Sequence, residues 1–113
     1  MRLLTEFGMG SSLRRGDYTE AARRGLRDAL WRNSINAAEL MGRGKDEMVL
    51  SVRVGVQNPG AVDKAALAAV FPYGQPEIEV VPGGLDIPRP EGEGNATVIA
   101  NVSISVSFRD EVA

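Results

Sequence analysis

A chain of 113 residues, 43% hydrophobic and 25% charged, has the make-up of one ordinary globular domain spanning residues 1–113. Its net charge of −2 hides an asymmetry, with eight arginines against five acids in residues 1–44 and five bases against ten acids afterwards. That basic excess is too small, and too poor in interleaved aromatics, to make nucleic acid an expected partner.

Taken in chain order, residues 2–7 ("RLLTEF") read as a first strand that stops at Gly8. Helical spacing begins after Asp17, with Tyr18, Ala22, Leu26, Ala29 and Leu30 on one side. Asp17 and Glu20 fit a capping box, in which Asp17 takes the Glu20 amide and Glu20 reaches back. Glu20–Arg24 and Asp28–Arg32 are i,i+4 pairs in the favourable orientation. Asn33, Ser34 and Asn36 compete for backbone hydrogen bonds and predict a break, with Gly42 and Gly44 ending any further turn.

"MVLSVRVGVQ" then alternates: Met48, Leu50, Val52, Val54 and Val56 point one way, and Val49, Ser51, Arg53 and Gly55 the other. "VDKAALAAVF" is a short helix stopped by Pro72, and "EIEVV" is a third strand. Residues 82–95, with three prolines and four glycines, read as a long loop. "ATVIANVSISVSF" alternates again, with Val98 to Val106 on one face and Ile99, Asn101, Ser103, Ser105 and Ser107 on the other. The expected fold is α+β in the order β-α-β-α-β-β, a four-stranded mixed sheet with two helices on one face. The second, semi-polar face and the small core predict a homo-oligomer, a trimer being favoured. No apolar run approaches the roughly 18–20 residues of a membrane span, so a cytoplasmic chain with no membrane partner is expected.

There is neither cysteine nor histidine. Disulfides, thiolate nucleophiles, cysteine-ligated metals and imidazole bases are therefore excluded. No metal and no cofactor are expected. The stretch "FGMGSSLRRGDYTEAA" is the leading candidate site. Gly8 and Gly10 would let backbone approach a ligand, and a helix start offers free amides. Ser11 and Ser12 add hydroxyls, and Arg14 and Arg15 can fork onto a carboxylate or phosphate. Asn33 and Asn101 are candidate lining residues. Tyr73, Gly83 and Gly84 are weaker ones, explained as well by turns. Asp86, Glu91 and Glu93 match no calcium-loop spacing.

The blocks "GMG", "TEAARRGLRDALWRNS", "VDKAALAAVFPYG", "VVPGGLDIP" and "TVIANVSISVSF" together resemble a family of short bacterial conserved hypothetical proteins founded on a Listeria member. The likeness covers roughly Gly8 to Phe108. The family's hallmark is a Gly-x-Gly-x-Asp-x-His-Gly run, in which Gly8 and Gly10 match the glycines. Ser12, Arg14 and Arg15 stand where its Asp, His and last Gly would be, so an acid–base or metal role does not carry over. The element order is also similar to that of chorismate-mutase-like trimers and of the repeat units of cyanuric acid hydrolase and barbiturase. In those proteins small polar or anionic molecules bind between neighbouring units. The expected function is binding of a small anionic or polar metabolite at a subunit interface. The alternative is a hydrolase or isomerase of a small amide or enamine-like metabolite, with Ser12 as nucleophile and Arg14 stabilising negative charge. A structural assembly protein without a ligand is the third possibility.

Overall fold

The computed structural model describes residues 2–32, 48–71, 75–90, 92 and 94–108. Its elements are β1 (Arg2–Ser12), α1 (Tyr18–Arg32), β2 (Met48–Val56), a 3-10 turn (Pro59–Ala61), α2 (Lys64–Ala68), β3 (Gln75–Pro82), β4 (Leu85–Ile87) and β5 (Thr97–Phe108). The mixed sheet runs β1–β5–β2–β3, and the short β4 also pairs with β5. β5 is antiparallel to β1, β2 and β4, whereas β2 and β3 are parallel. β1 and β2 therefore point the same way with β5 inserted between them.

The alternation read from β2 and β5 decides which face is buried. Met48, Leu50, Val52, Val54 and Val56 join Val98, Ala100, Val102, Ile104 and Val106 in one core. Ala21, Ala22, Leu26 and Ala29 of α1 and Leu67 of α2 cover that face, with Tyr18 and Leu30 packed at its margin. Asp63 starts α2 by accepting from the Ala65 and Ala66 amides. The expected kink after Arg32, the Asn36 turn and the Pro72 stop lie outside the described residues.

β1 departs from expectation. It does not stop at Gly8 but continues to Ser12, in register with β5 from Gly8↔Val102 to Ser12↔Val98. Both glycines lie inside the strand, on the side facing α1. A Cβ on Gly8 would lie 2.3 Å from the Gly25 carbonyl oxygen and 2.6 Å from the Ala29 nitrogen. One on Gly10 would lie 2.2 Å from the Ala21 carbonyl oxygen and 2.3 Å from the Gly25 nitrogen. Ala21, Gly25 and Ala29, spaced i, i+4, i+8, form a low ridge that rests directly on the strand backbone. Gly25 sits in mid-helix, where glycine costs about 1 kcal/mol relative to alanine. A Cβ there would come within 2.7 Å of Val102 Cγ2, which accounts for its presence.

The 82–95 segment is not wholly loop either, since it contains β4. Gly83 and Gly84 carry the chain from the end of β3 across the end of β2 to reach β5. The Gly83 amide donates to the Val56 carbonyl at 2.9 Å, and Gln57 Nε2 donates to both glycine carbonyls at 3.0 and 3.2 Å. Gly84 has φ +62°, and a Cβ on it would collide with the Ile99 carbonyl oxygen at 2.0 Å. Three residues are too few to announce a strand by alternation, and that is why β4 escaped the sequence pattern.

The seam between α1 and β1 makes a direct prediction. Gly10→Ala should cost about 3 kcal/mol or more in urea unfolding, because the clash is with backbone on both elements. Gly60→Ala, with only Asn58 Oδ1 at 3.8 Å, should change stability by less than about 0.5 kcal/mol.

Candidate functional site

The sequence candidates separate once the strand is drawn. Gly8 and Gly10 spend their open side on α1, which is a packing role rather than access for a ligand. Ser12 lies on the same side and is 4% exposed. Asn101 is on the other face of the sheet, opposite Met9 in β1 and Gly55 in β2. Asn33, Tyr73, Glu91 and Glu93 lie outside the described residues. Among the described residues of the set, the structure brings together Ser12, Arg14 and Arg15, with Ser11 at their edge through its backbone.

What positions them is the bend from Leu13 to Asp17. Thr97 Oγ1 donates to the Leu13 carbonyl at 3.2 Å, and Asn95 Nδ2 donates to the Arg14 carbonyl at 3.4 Å. Gly16 turns at φ +61° beside Asn95. Asp17 then caps α1, its Oδ1 accepting from the Glu20 amide at 3.0 Å. The expected second half of the capping box is replaced. Ser12 Oγ, not Glu20, accepts from the Asp17 amide at 3.3 Å. Glu20 is instead drawn to Arg23 and Arg24, at 3.4 and 3.5 Å.

Two helix side chains reach the outer edge of β1. Asp28 Oδ2 accepts from the Met9 amide at 3.0 Å, and Arg24 Nη1 donates to the Ser11 carbonyl at 2.7 Å. Asp28 thus serves β1 in addition to any role within the helix. These bonds satisfy strand groups that would otherwise template another chain.

Around the bend is a groove of about 560 Å³ lined by Ser12, Leu13, Arg14, Arg15, Asp17, Glu20 and Arg24. Three guanidinium groups face two carboxylates, and both carboxylates are already engaged. Arg14 and Arg15 are exposed, and no carboxylate pairs with either among the described residues. The arrangement can hold a small anion by forked hydrogen bonds. The Ser12 hydroxyl is engaged by the Asp17 amide, and among the described residues it hydrogen-bonds to no titratable side chain.

Two features near this end were not anticipated from sequence. Tyr18 donates its phenol to Asp86 Oδ2, tying the first turn of α1 to β4. This raises the Tyr18 pKa above its ordinary 10.0, chiefly because the bond needs the neutral phenol, then through burial and the Asp86 charge. Thr19 Oγ1 accepts from the Asp63 amide at 2.9 Å and joins α1 to the start of α2.

A second hollow, of about 590 Å³, lies on the open sheet face among Thr5, Ser51, Ser103 and Ser105, with Arg53 and Glu79 on one side. Arg53 Nε and Nη2 both meet Glu79 Oε1 at 2.8 Å, and Thr5 Oγ1 lies 3.0 Å from Ser105 Oγ. Among the described residues no three acidic side chains gather as a metal site. No described helix is long and apolar enough to cross a membrane.

The Tyr18 link should titrate. A phenol with a raised folded-state pKa adds stability fully below its unfolded value, and that stability is lost as pH rises through the folded value. Tyr18→Phe should therefore cost at most about 1 kcal/mol at pH 7, both groups being open to water. In urea titrations the wild-type advantage should persist through pH 7 and decline as the pH rises beyond the ordinary phenol value of 10.0.

Residues 2–106 match the family model described as "Conserved hypothetical protein (Lin0512_fam)". No curated protein matches the chain. Among solved structures, a FtsZ-like protein of unknown function from Nostoc punctiforme PCC 73102 superposes with a TM-score of 0.84. It is 30% identical over 94% of this chain and 93% of its own. With the hallmark glycines fixed by the helix contact and the match running across nearly every element, the chain belongs to the Lin0512 family of conserved hypothetical proteins.

Proposed function

We propose that this chain is a ligand-binding protein that takes a small anionic metabolite in the groove beside Arg14 and Arg15, at a boundary between copies of itself. The observation that carries the reading is a contrast between arginines. Arg23, Arg24 and Arg53 each lie against a glutamate. Arg14 and Arg15, adjacent on a bend pinned by Asn95 and Thr97, have no such partner among the described residues. Two neighbouring guanidinium groups left in this way repel each other unless an anion sits between them. A carboxylate or phosphate group fits their forked donors. The Ser12 geometry gives the alternative hydrolase or isomerase reading no support.

Thermal unfolding tests this. Inorganic phosphate or a small dicarboxylate at about ten times its Kd should add about 1.4 kcal/mol, a rise in Tm of about 5 °C. Chloride at equal ionic strength should not. Arg14→Ala with Arg15→Ala should abolish the rise and leave the unliganded Tm within about 2 °C, as expected for exposed side chains. If no small anion shifts the wild-type Tm, the arginines are solvated surface and the reading fails.

A further inference from the structure

Among the described residues, the large apolar side chains left exposed are Phe7, Met9, Leu13, Leu85 and Ile87, from 47 to 68% open. Register places four of them on one surface. Phe7 and Met9 stand opposite Ser103 and Asn101, and Leu85 and Ile87 stand opposite Ile99 and Thr97. All four β5 partners lie on the face turned away from the core, since Val98, Ala100, Val102 and Ile104 fill the core face. Leu13, whose carbonyl accepts from Thr97, borders the same surface. The helices cover one side of the sheet, and its exposed apolar residues gather on the other.

We infer that this face, centred on Met9 and Leu85, is where a second copy of this chain docks. The inference develops the assembly half of the proposed function, and it rests on that reading only in taking the partner to be another copy. With about half or more of each side chain open, the five present on the order of 500 Å² of apolar surface. That is at the upper end of the patch a monomer tolerates in water. Two copies joined here remove about 1,000 Å² from these side chains alone, the threshold for a specific interface. Between Met9 and Leu85 stand the small residues Asn101 and Gly55. The one long side chain in the adjoining β2 row, Arg53, is held by Glu79, so a second sheet can approach to the usual separation of about 10 Å. The charges lie at the margins, Arg53 and Glu79 on one side and Arg14 and Arg15 beyond Leu13 on the other. Among the described residues the centre of this face carries no charge and its rim is polar, the anatomy of a protein–protein contact. Covering Leu13 also walls the arginine groove on one side.

Light scattering coupled to size exclusion on the untagged chain at about 50 µM, a concentration where interfaces of this size assemble, tests the contact. The expected mass is two or more times the 12.1 kDa subunit. Met9→Lys with Leu85→Lys should return the mass to one subunit while far-UV circular dichroism stays unchanged, both side chains being more than half exposed. If that pair fails to fold, Phe7→Ser with Ile87→Thr serves instead and should have the same effect. A wild-type mass of one subunit assigns the face to some other occupant and overturns the inference. So does a folded variant that keeps the wild-type mass. Arg14→Ala with Arg15→Ala should keep the oligomer while losing the anion effect, so failure of the groove and failure of the contact give different results.

Discussion

Between β1 and α1 there is no room for a side chain. The carbonyl oxygens of Ala21 and Gly25 and the nitrogens of Gly25 and Ala29 occupy the places where Cβ atoms on Gly10 and Gly8 would be. Backbone resting on backbone is an unforgiving contact, because neither side has a rotamer with which to yield. It fixes the height of α1 above the sheet and its rotation about its own axis. That rotation turns Leu26 into the core, and it also lets Asp28 and Arg24 reach the outer edge of β1. A helix raised by one methyl group would lose both edge bonds.

The same contact arranges the end of the molecule that carries the arginines. With Gly10 held against α1, β1 can extend only two more residues before it must turn back to start the helix. Ser12 falls at the last strand position, where its hydroxyl oxygen accepts from the Asp17 amide, while the Asp17 carboxylate accepts from the Glu20 amide. The intervening residues have to bulge outward. Arg14 and Arg15 are therefore in solvent for a geometric reason, whatever they bind, and Thr97 and Asn95 hold their backbone in place. The bend at this end is a tightly built connection rather than a loose loop.

The parts that sequence reasoning recovered are those with a period. β2 and β5 alternate without interruption, so their core-facing residues could be named one by one, though Val49 and Gly55 on the other face of β2 are buried as well. On α1 the spacing pointed to Ala22, Leu26 and Ala29 but not to Ala21. The sequence predicts that β1 stops at Gly8, whereas it runs on to Ser12, because glycine in a strand has two physical meanings, a turn or a close approach, and only the partner distinguishes them. That partner is Gly25, fifteen residues beyond Gly10. The Ala21–Gly25–Ala29 spacing was the available signal, since a glycine in mid-helix otherwise has nothing to recommend it. The site was legible as a collection of residue types and misread as a space. Gly8, Gly10 and Ser12 turned out to serve packing and capping, and Asn101 belongs to the opposite face. Arg14 and Arg15 are exposed although Asp17 follows three and two residues later, because its carboxylate is committed to the first turn of α1.

If the glycine seam is what holds α1 in place, helix and strand must come apart together. Native-state hydrogen exchange in low urea measures this residue by residue. The amides of Ala22 to Ala29 in α1, and those of Gly8 and Gly10 in the β1–β5 ladder, should open with one common free energy equal to that of global unfolding. Helix amides exchanging at a clearly lower free energy than the β2–β5 ladder, with the sheet still protected, would show α1 detaching by itself and would contradict the account.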